Sequence, residues 1–231
     1  MTGLMRLYLK ELREHRKLLG GIVVAIACLY AYVLFGVEGE ASTFLLVIFP
    51  ISITTAVLTF GLVSAFWGEW KAGTHYLLLS LPVSRVAIPL SKYLAVLTAG
   101  LIVYLMAVLS IINLAAPLET STLILQQLKR DLDPKTLMIF FCTWAFAWLV
   151  LLLGIVIGCV AMRYSISRGR SAAITSFLIL MFFCYWSFLY PFAELLGEEI
   201  GFFRAQIIYT LLLGVTVTAA GLVLFEKRAE I

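Results

Sequence analysis

The side chains able to do chemistry are few and scattered. His15 and His75 stand alone in the sequence, and Cys28, Cys142, Cys159 and Cys184 form no CxxC pair or Cys/His metal spacing. No GxxxxGK[ST] phosphate loop is present, so no backbone cradle for ATP is encoded in this chain. Three hydroxyls, Ser52, Thr55 and Thr59, fall at i, i+3 and i+7 just after Pro50. They make one polar stripe, read either as interhelical packing or as a wall facing a transported molecule. No catalytic, cofactor-binding or metal-ligating set is predicted. The remaining polar candidates lie between Trp67 and Lys92, and around Arg163, Arg168 and Arg170.

The elements that must carry these residues are set by composition. The 231 residues are 63% hydrophobic and 13% charged. A soluble domain is roughly 45–50% apolar and about 25% charged. A water-soluble protein of this size could not hide so much apolar surface. A soluble enzyme, a nucleic-acid-binding domain and a disordered scaffold are therefore excluded, and the solvent is a bilayer. Runs free of Asp, Glu, Lys and Arg occupy 18–37, 41–68, 93–118, 136–162, 171–193 and 205–225. Each reaches the roughly 18–20 residues that cross the hydrocarbon. They place six transmembrane helices at about 18–37, 43–67, 91–114, 136–162, 171–193 and 204–225 of one transmembrane domain, residues 1–231. The runs do not alternate in polarity, which excludes barrel strands. The fold class is all-α and polytopic. The first run is too long for a signal-peptide core and follows Glu11 and Glu14, so it reads as a retained span.

With both termini on one side, 13 of the 17 Lys and Arg residues fall on that side. The two sides then carry net charges of +8 and −4. The positive-inside rule makes the termini and the loops at 69–92 and 163–170 cytoplasmic. The basic balance is thus a topology signal, not a nucleic-acid footprint.

Residues 2–17 read as an amphipathic interfacial helix, with Leu4, Met5, Tyr8, Leu9 and Leu12 opposite Arg6, Lys10, Arg13, Glu14 and Lys17. Gly20 and Gly21 allow a bend into the first span. A short helix is expected within the external loop at 120–133. Gly154 and Gly158 form a GxxxG, and Gly214, Thr218 and Gly221 share a face in the last span. Both are close-packing surfaces, within one subunit or between two.

The loop after the second span is not a plain polar turn. Thr74 can cap a helix that Pro82 ends, and Ser84 can cap the next one. The result is a short cytoplasmic helix bearing Tyr76, Leu77, Leu78 and Leu79, whose apolar side needs a cover. The run Glu69…Gly73-Thr74…Leu78-Leu79-Ser80-Leu81-Pro82-Val83-Ser84-Arg85…Lys92 resembles the signature of ABC-2 type transporter permeases. Lys10-Glu11-Leu12 in a basic N-terminal helix is similar to that family as well.

The resemblance implies a permease subunit of an ATP-driven transporter, an exporter in the cell membrane, working as a dimer of permeases with two separate ATPase subunits. ATP and Mg would be bound in those partners. Residues 2–17 would be the connecting, or elbow, helix. The segment 73–85 would be the coupling helix, with Glu69, Gly73, Thr74, Tyr76, Leu78, Leu79, Pro82, Ser84 and Arg85 meeting the ATPase, and Ser52, Thr55 and Thr59 lining a pathway. Arg163, Arg168 and Arg170 read first as positive-inside residues and otherwise as contacts for the ATPase or for anionic lipid. The small external segments speak against a built-in receptor. A second reading keeps the loop as a docking surface but makes the chain a non-transporting assembly or sensor subunit. An ion-coupled carrier or intramembrane enzyme would need Asp, Glu or His inside a span, and the charge-free runs contain none.

Overall fold

In the computed structural model the backbone is described for residues 3–36, 40–71, 84–113, 134–166, 169–196 and 201–228. Side chains are described for 3–14, 51–71, 84–109, 136, 139–166, 169–196 and 201–227, with a few more near the start of the chain. Six helices make up these residues: α1 (Gly3–Gly36), α2 (Glu40–Lys71), α3 (Ala87–Asn113), α4 (Pro134–Ser165), α5 (Arg170–Leu196) and α6 (Phe202–Arg228). Helices are what apolar runs must become in hydrocarbon, where every backbone N–H and C=O has to be paired within the segment.

Five helices hold windows long and apolar enough to span a membrane: Ile51–Lys71, Ala87–Leu109, Ile139–Ser165, Arg170–Leu196 and Phe202–Lys227. The sixth expected span lies on α1, where few side chains belong to the described set. Its backbone is one uninterrupted helix through Gly20 and Gly21, so the amphipathic segment and the stretch after it belong to one helix rather than being separate elements. The expected helix at 120–133 lies outside the described residues.

The bundle is built around α4. One face of α4, with Leu149, Leu153 and Ile157, closes a core against Leu58, Leu62 and Phe66 of α2 and Tyr93, Val96 and Ala99 of α3. Another face, at Leu151, meets Met181, Tyr185 and Leu189 of α5 and Tyr209 and Val217 of α6. Aromatic hydroxyls are satisfied across the α5–α6 contact. Tyr209 donates to the Cys184 carbonyl at 2.8 Å, and Gln206 Nε2 donates to the Tyr185 hydroxyl at 3.3 Å.

The small residues of α4 and α6 meet inside the subunit, which settles the alternative left open by sequence. A Cβ added to Gly214 would stand 2.8 Å from the Leu151 backbone nitrogen, and one on Gly154 would stand 2.6 Å from the Gly214 carbonyl oxygen. One on Gly221 would come within 3.1 Å of the Gly158 nitrogen. Backbone faces backbone, so neither helix can yield by moving a side chain. Dispersion at this distance replaces the hydrophobic drive that lipid does not supply.

Gly214→Ala is therefore expected to destabilise the chain by about 1–3 kcal/mol, the range for overpacking a tight contact. Gly68→Ala, where nothing lies within 4 Å, should leave stability unchanged. Thermal unfolding of the purified variants in mild detergent tests this; equal midpoints for the two would remove the backbone contact.

Candidate functional site

The site is best built from the charges, because a charge at the end of an apolar helix must be neutralised or reach water. Lys92 does not reach water. It lies on the second turn of α3 and is only 3% exposed. Its ammonium donates to Glu69 Oε1 at 2.8 Å and to Glu11 Oε1 at 3.0 Å. Glu11 is equally buried, also at 3%. The second Glu11 oxygen, Oε2, has no hydrogen-bond partner. The Phe66 ring lies under the ammonium at 5.6 Å. One cation thus ties three helices, α1, α2 and α3, at one point.

Each member has a local reason for its place. Glu11 follows Leu4 and Tyr8 at i, i+4 and i+7, so it shares their inward stripe. Tyr8 lies beside it and hydrogen-bonds Thr98 of α3 at 3.1 Å. The packed face of α1 therefore runs through Leu4, Tyr8 and Glu11, while Met5 is largely exposed. Glu69 occupies the last turn of α2, where the carbonyl ends disfavour an anion. The Lys92 ammonium offsets that. The sequence reading placed Glu69 among the residues meeting the ATPase, through the family resemblance, and missed its partners within the chain. The available signals were a lysine just inside a span and a glutamate on an apolar face.

A second cluster adjoins the triad. Arg163, in the last turn of α4, places its guanidinium 4.1 Å from the Trp70 ring centre and 4.8 Å from that of Trp67. Arg170, at the start of α5, stands 5.4 Å from the Trp70 ring. Tyr164 packs edge-on against Trp70 and against Phe225 of α6, both at 5.1 Å. The two clusters together join the ends of all six helices. Gly169, at φ 74°, stands just before α5 in a conformation that glycine accepts without strain, and its carbonyl takes the Ala173 N–H at 3.0 Å.

Of the predicted coupling residues, Glu69, Ser84 and Arg85 are described; Gly73, Thr74, Tyr76, Leu78, Leu79 and Pro82 lie outside the described residues. Ser84 stands where α3 begins: its carbonyl accepts the Ala87 N–H at 2.9 Å, and the Ser84 side chain is exposed. The buried Pro89 sits within the first turn of α3, where a missing N–H costs nothing.

The hydroxyl stripe is divided. Ser52 is exposed on the subunit surface. Thr55 and Thr59 are half-buried and donate to their own helix, at the carbonyls of Ile51 and Thr55, both at 2.8 Å. Thr54 and Thr55 border a cavity of about 20 Å³ shared with Gly100, Tyr104 and Cys142, room for about one water. Among the described residues no group of three His, Cys, Asp or Glu is placed to hold a metal ion.

This is a polytopic helical membrane protein with one charged, partly buried junction flanking a loop. Residues 6–225 match the model of the ABC-2 family transporter proteins, and the chain belongs to that family. No curated protein and no solved structure matches the chain.

Removing the ammonium alone takes the cation from the buried Glu11 and the partly buried Glu69. Lys92→Met is expected to cost about 3–5 kcal/mol, the range for breaking a buried charge pair. The triple variant Lys92→Met/Glu11→Met/Glu69→Gln should recover most of that loss, because no charge is left unpaired. Detergent melting curves read both; a wild-type midpoint for Lys92→Met would show that the ammonium reaches water.

Proposed function

We propose that the chain is the permease subunit of an ATP-driven exporter, with ATP hydrolysed in a separate subunit docked on the 73–85 loop. Membership of the ABC-2 transporter family over residues 6–225 carries this reading. The junction described above supports it mechanically. The proposed docking loop leaves α2 at Lys71 and joins α3 at the Ser84 turn. Glu69 lies two residues before the first of these points, and it is bound to Lys92 just past the second. A displacement of the loop would therefore move α2 and α3 together, and α1 with them through Glu11. ATP-driven closure of the partner subunits would push on Gly73, Thr74, Tyr76, Leu78, Leu79, Pro82, Ser84 and Arg85 and tilt the joined helices.

A cargo path between two permease copies fits this scheme better than one through a single subunit, whose α2–α3–α4 cavity holds about one water. Ser52, exposed on α2, is the stripe residue best placed to face such a path. Thr55 and Thr59 would contribute mainly their methyl groups, their hydroxyls being bound to the backbone. We place the termini and the Arg163–Arg170 turn on the cytoplasmic side by the positive-inside rule.

The test is co-expression with a candidate ABC ATPase, followed by affinity purification and ATPase assay in liposomes. The wild-type chain should retain the ATPase. Leu78→Asp/Leu79→Asp should lower retention by about tenfold or more, since burying two carboxylates in an apolar contact is strongly unfavourable. Undiminished retention by the double variant would refute docking through this loop. Retention without ATP-driven cargo movement would favour the assembly-subunit alternative.

A further inference from the structure

The charges at the junction are not all accounted for by the triad. Glu11 and Glu69 both engage Lys92. Arg163 and Arg170 are left with no carboxylate within ion-pair distance among the described residues. Both guanidiniums nonetheless converge on the Trp70 ring. Arg163 Nε is shielded and unpartnered, and Arg170 Nε is held by the Ile166 carbonyl at 2.8 Å. In each case the Nη groups are left as the donors toward a ligand. Two like charges held together by flat aromatic rings form a rigid anion-binding surface.

The surroundings indicate which anion. The arginines stand where the apolar windows of α4 and α5 end and begin, which is headgroup depth for a spanning helix. Trp67, under Arg163, is 55% exposed, and the exposed face of α2 continues from it through Val63, Phe60 and Ile53. From Ile53 to Trp67 this apolar face extends about 21 Å at about 1.5 Å per residue. That exceeds the ~15 Å of one leaflet in a hydrocarbon core about 30 Å thick. A soluble phosphate would use the cations and leave this wall bare. A phospholipid would use both.

We infer that Arg163 and Arg170, backed by Trp67 and Trp70, form a binding site for the phosphate of an anionic phospholipid whose acyl chain lies along Trp67, Val63 and Phe60. The site needs no docked ATPase, so its test is separate from that of the transport reading.

The experiment is native mass spectrometry of the full chain in detergent, titrated with phosphatidylglycerol and phosphatidylcholine. Each surface cation adds about fivefold to attraction for an anionic lipid. The wild-type chain should therefore prefer phosphatidylglycerol by roughly ten- to thirtyfold. Arg163→Gln/Arg170→Gln should bind both lipids alike. Arg170→Gln alone, at an exposed position, should lose about fivefold, and it decides the matter if the double variant does not fold. Equal binding of the two lipids by the wild type would overturn the site. So would an unchanged preference in Arg170→Gln. Displacement of phosphatidylglycerol by glycerol phosphate at matched concentration would assign the site to a soluble anion instead and refute the lipid.

Discussion

The Lys92 ammonium is the constraint around which one end of the molecule is organised. A lone charge in this setting would cost several kcal/mol even after local relaxation. It is retained only with acceptors brought to it, and each acceptor arrives on a different helix: Glu69 on α2 and Glu11 on α1. Two carboxylates on one cation leave the group with a net negative charge. The N-terminal end of α3, close by, supplies a favourable partial positive charge. The contact is therefore geometrically demanding. Any shift of α1 relative to α2 and α3 must break a buried ion pair, while a movement of all three together breaks nothing.

The far side of the bundle is held by a different force. Between α4 and α6 the hold is close packing at Gly154, Gly214 and Gly221, where an added Cβ would meet the backbone of Gly214, Leu151 and Gly158 in turn. Such a seam resists separation and also resists any substitution, because the opposing atoms belong to the main chain. The chain thus contains two joined groups of helices, α1–α2–α3 fastened by charge and α4–α6 fastened by close packing. The apolar cluster at Leu58, Leu62, Val96, Leu149 and Leu153 lies between them. Apolar packing of that kind tolerates small sliding better than an ion pair or a glycine seam does. α5 packs on this assembly through Met181, Tyr185 and Leu189 and leaves Phe182, Phe183, Trp186 and Phe188 exposed.

The helices were legible in the sequence because hydrocarbon permits so few alternatives. A charge-free run of 20 or more residues has one stable form there, and the apolar windows of five helices fall within the predicted spans or a few residues beyond them. The GxxxG at Gly154 and Gly158 announced a close contact, but not its partner, since small residues fit a neighbour in the same subunit or in another equally well. The candidate site was legible only in part. Glu69 was picked out through the family resemblance, as a residue meeting the ATPase. Lys92 joins Glu69 and Glu11 across separations of 23 and 81 residues along the chain, and no local period encodes contacts of that range. Arg163 was read first as a topology charge and otherwise as a contact for the ATPase or anionic lipid. That reading did not anticipate Trp67 and Trp70, which sit on α2.

The placement of the triad also explains why the signature residues of the loop carry charges at all. Glu69 and Lys92 bracket the loop, and Glu11 belongs to the basic N-terminal helix. Read along the chain they are three unrelated charges; in space they are one contact. An apolar trio would hold the helices together equally well, and exchange of a buried ion pair for apolar packing is often neutral or stabilising. What the ion pair adds is directionality. Apolar side chains accept a range of offsets, whereas an ammonium 2.8 and 3.0 Å from two carboxylate oxygens fixes the register of three helices at once. The push on the loop proposed above requires that register, because force applied to a loosely packed pair of helices is lost in sliding between them.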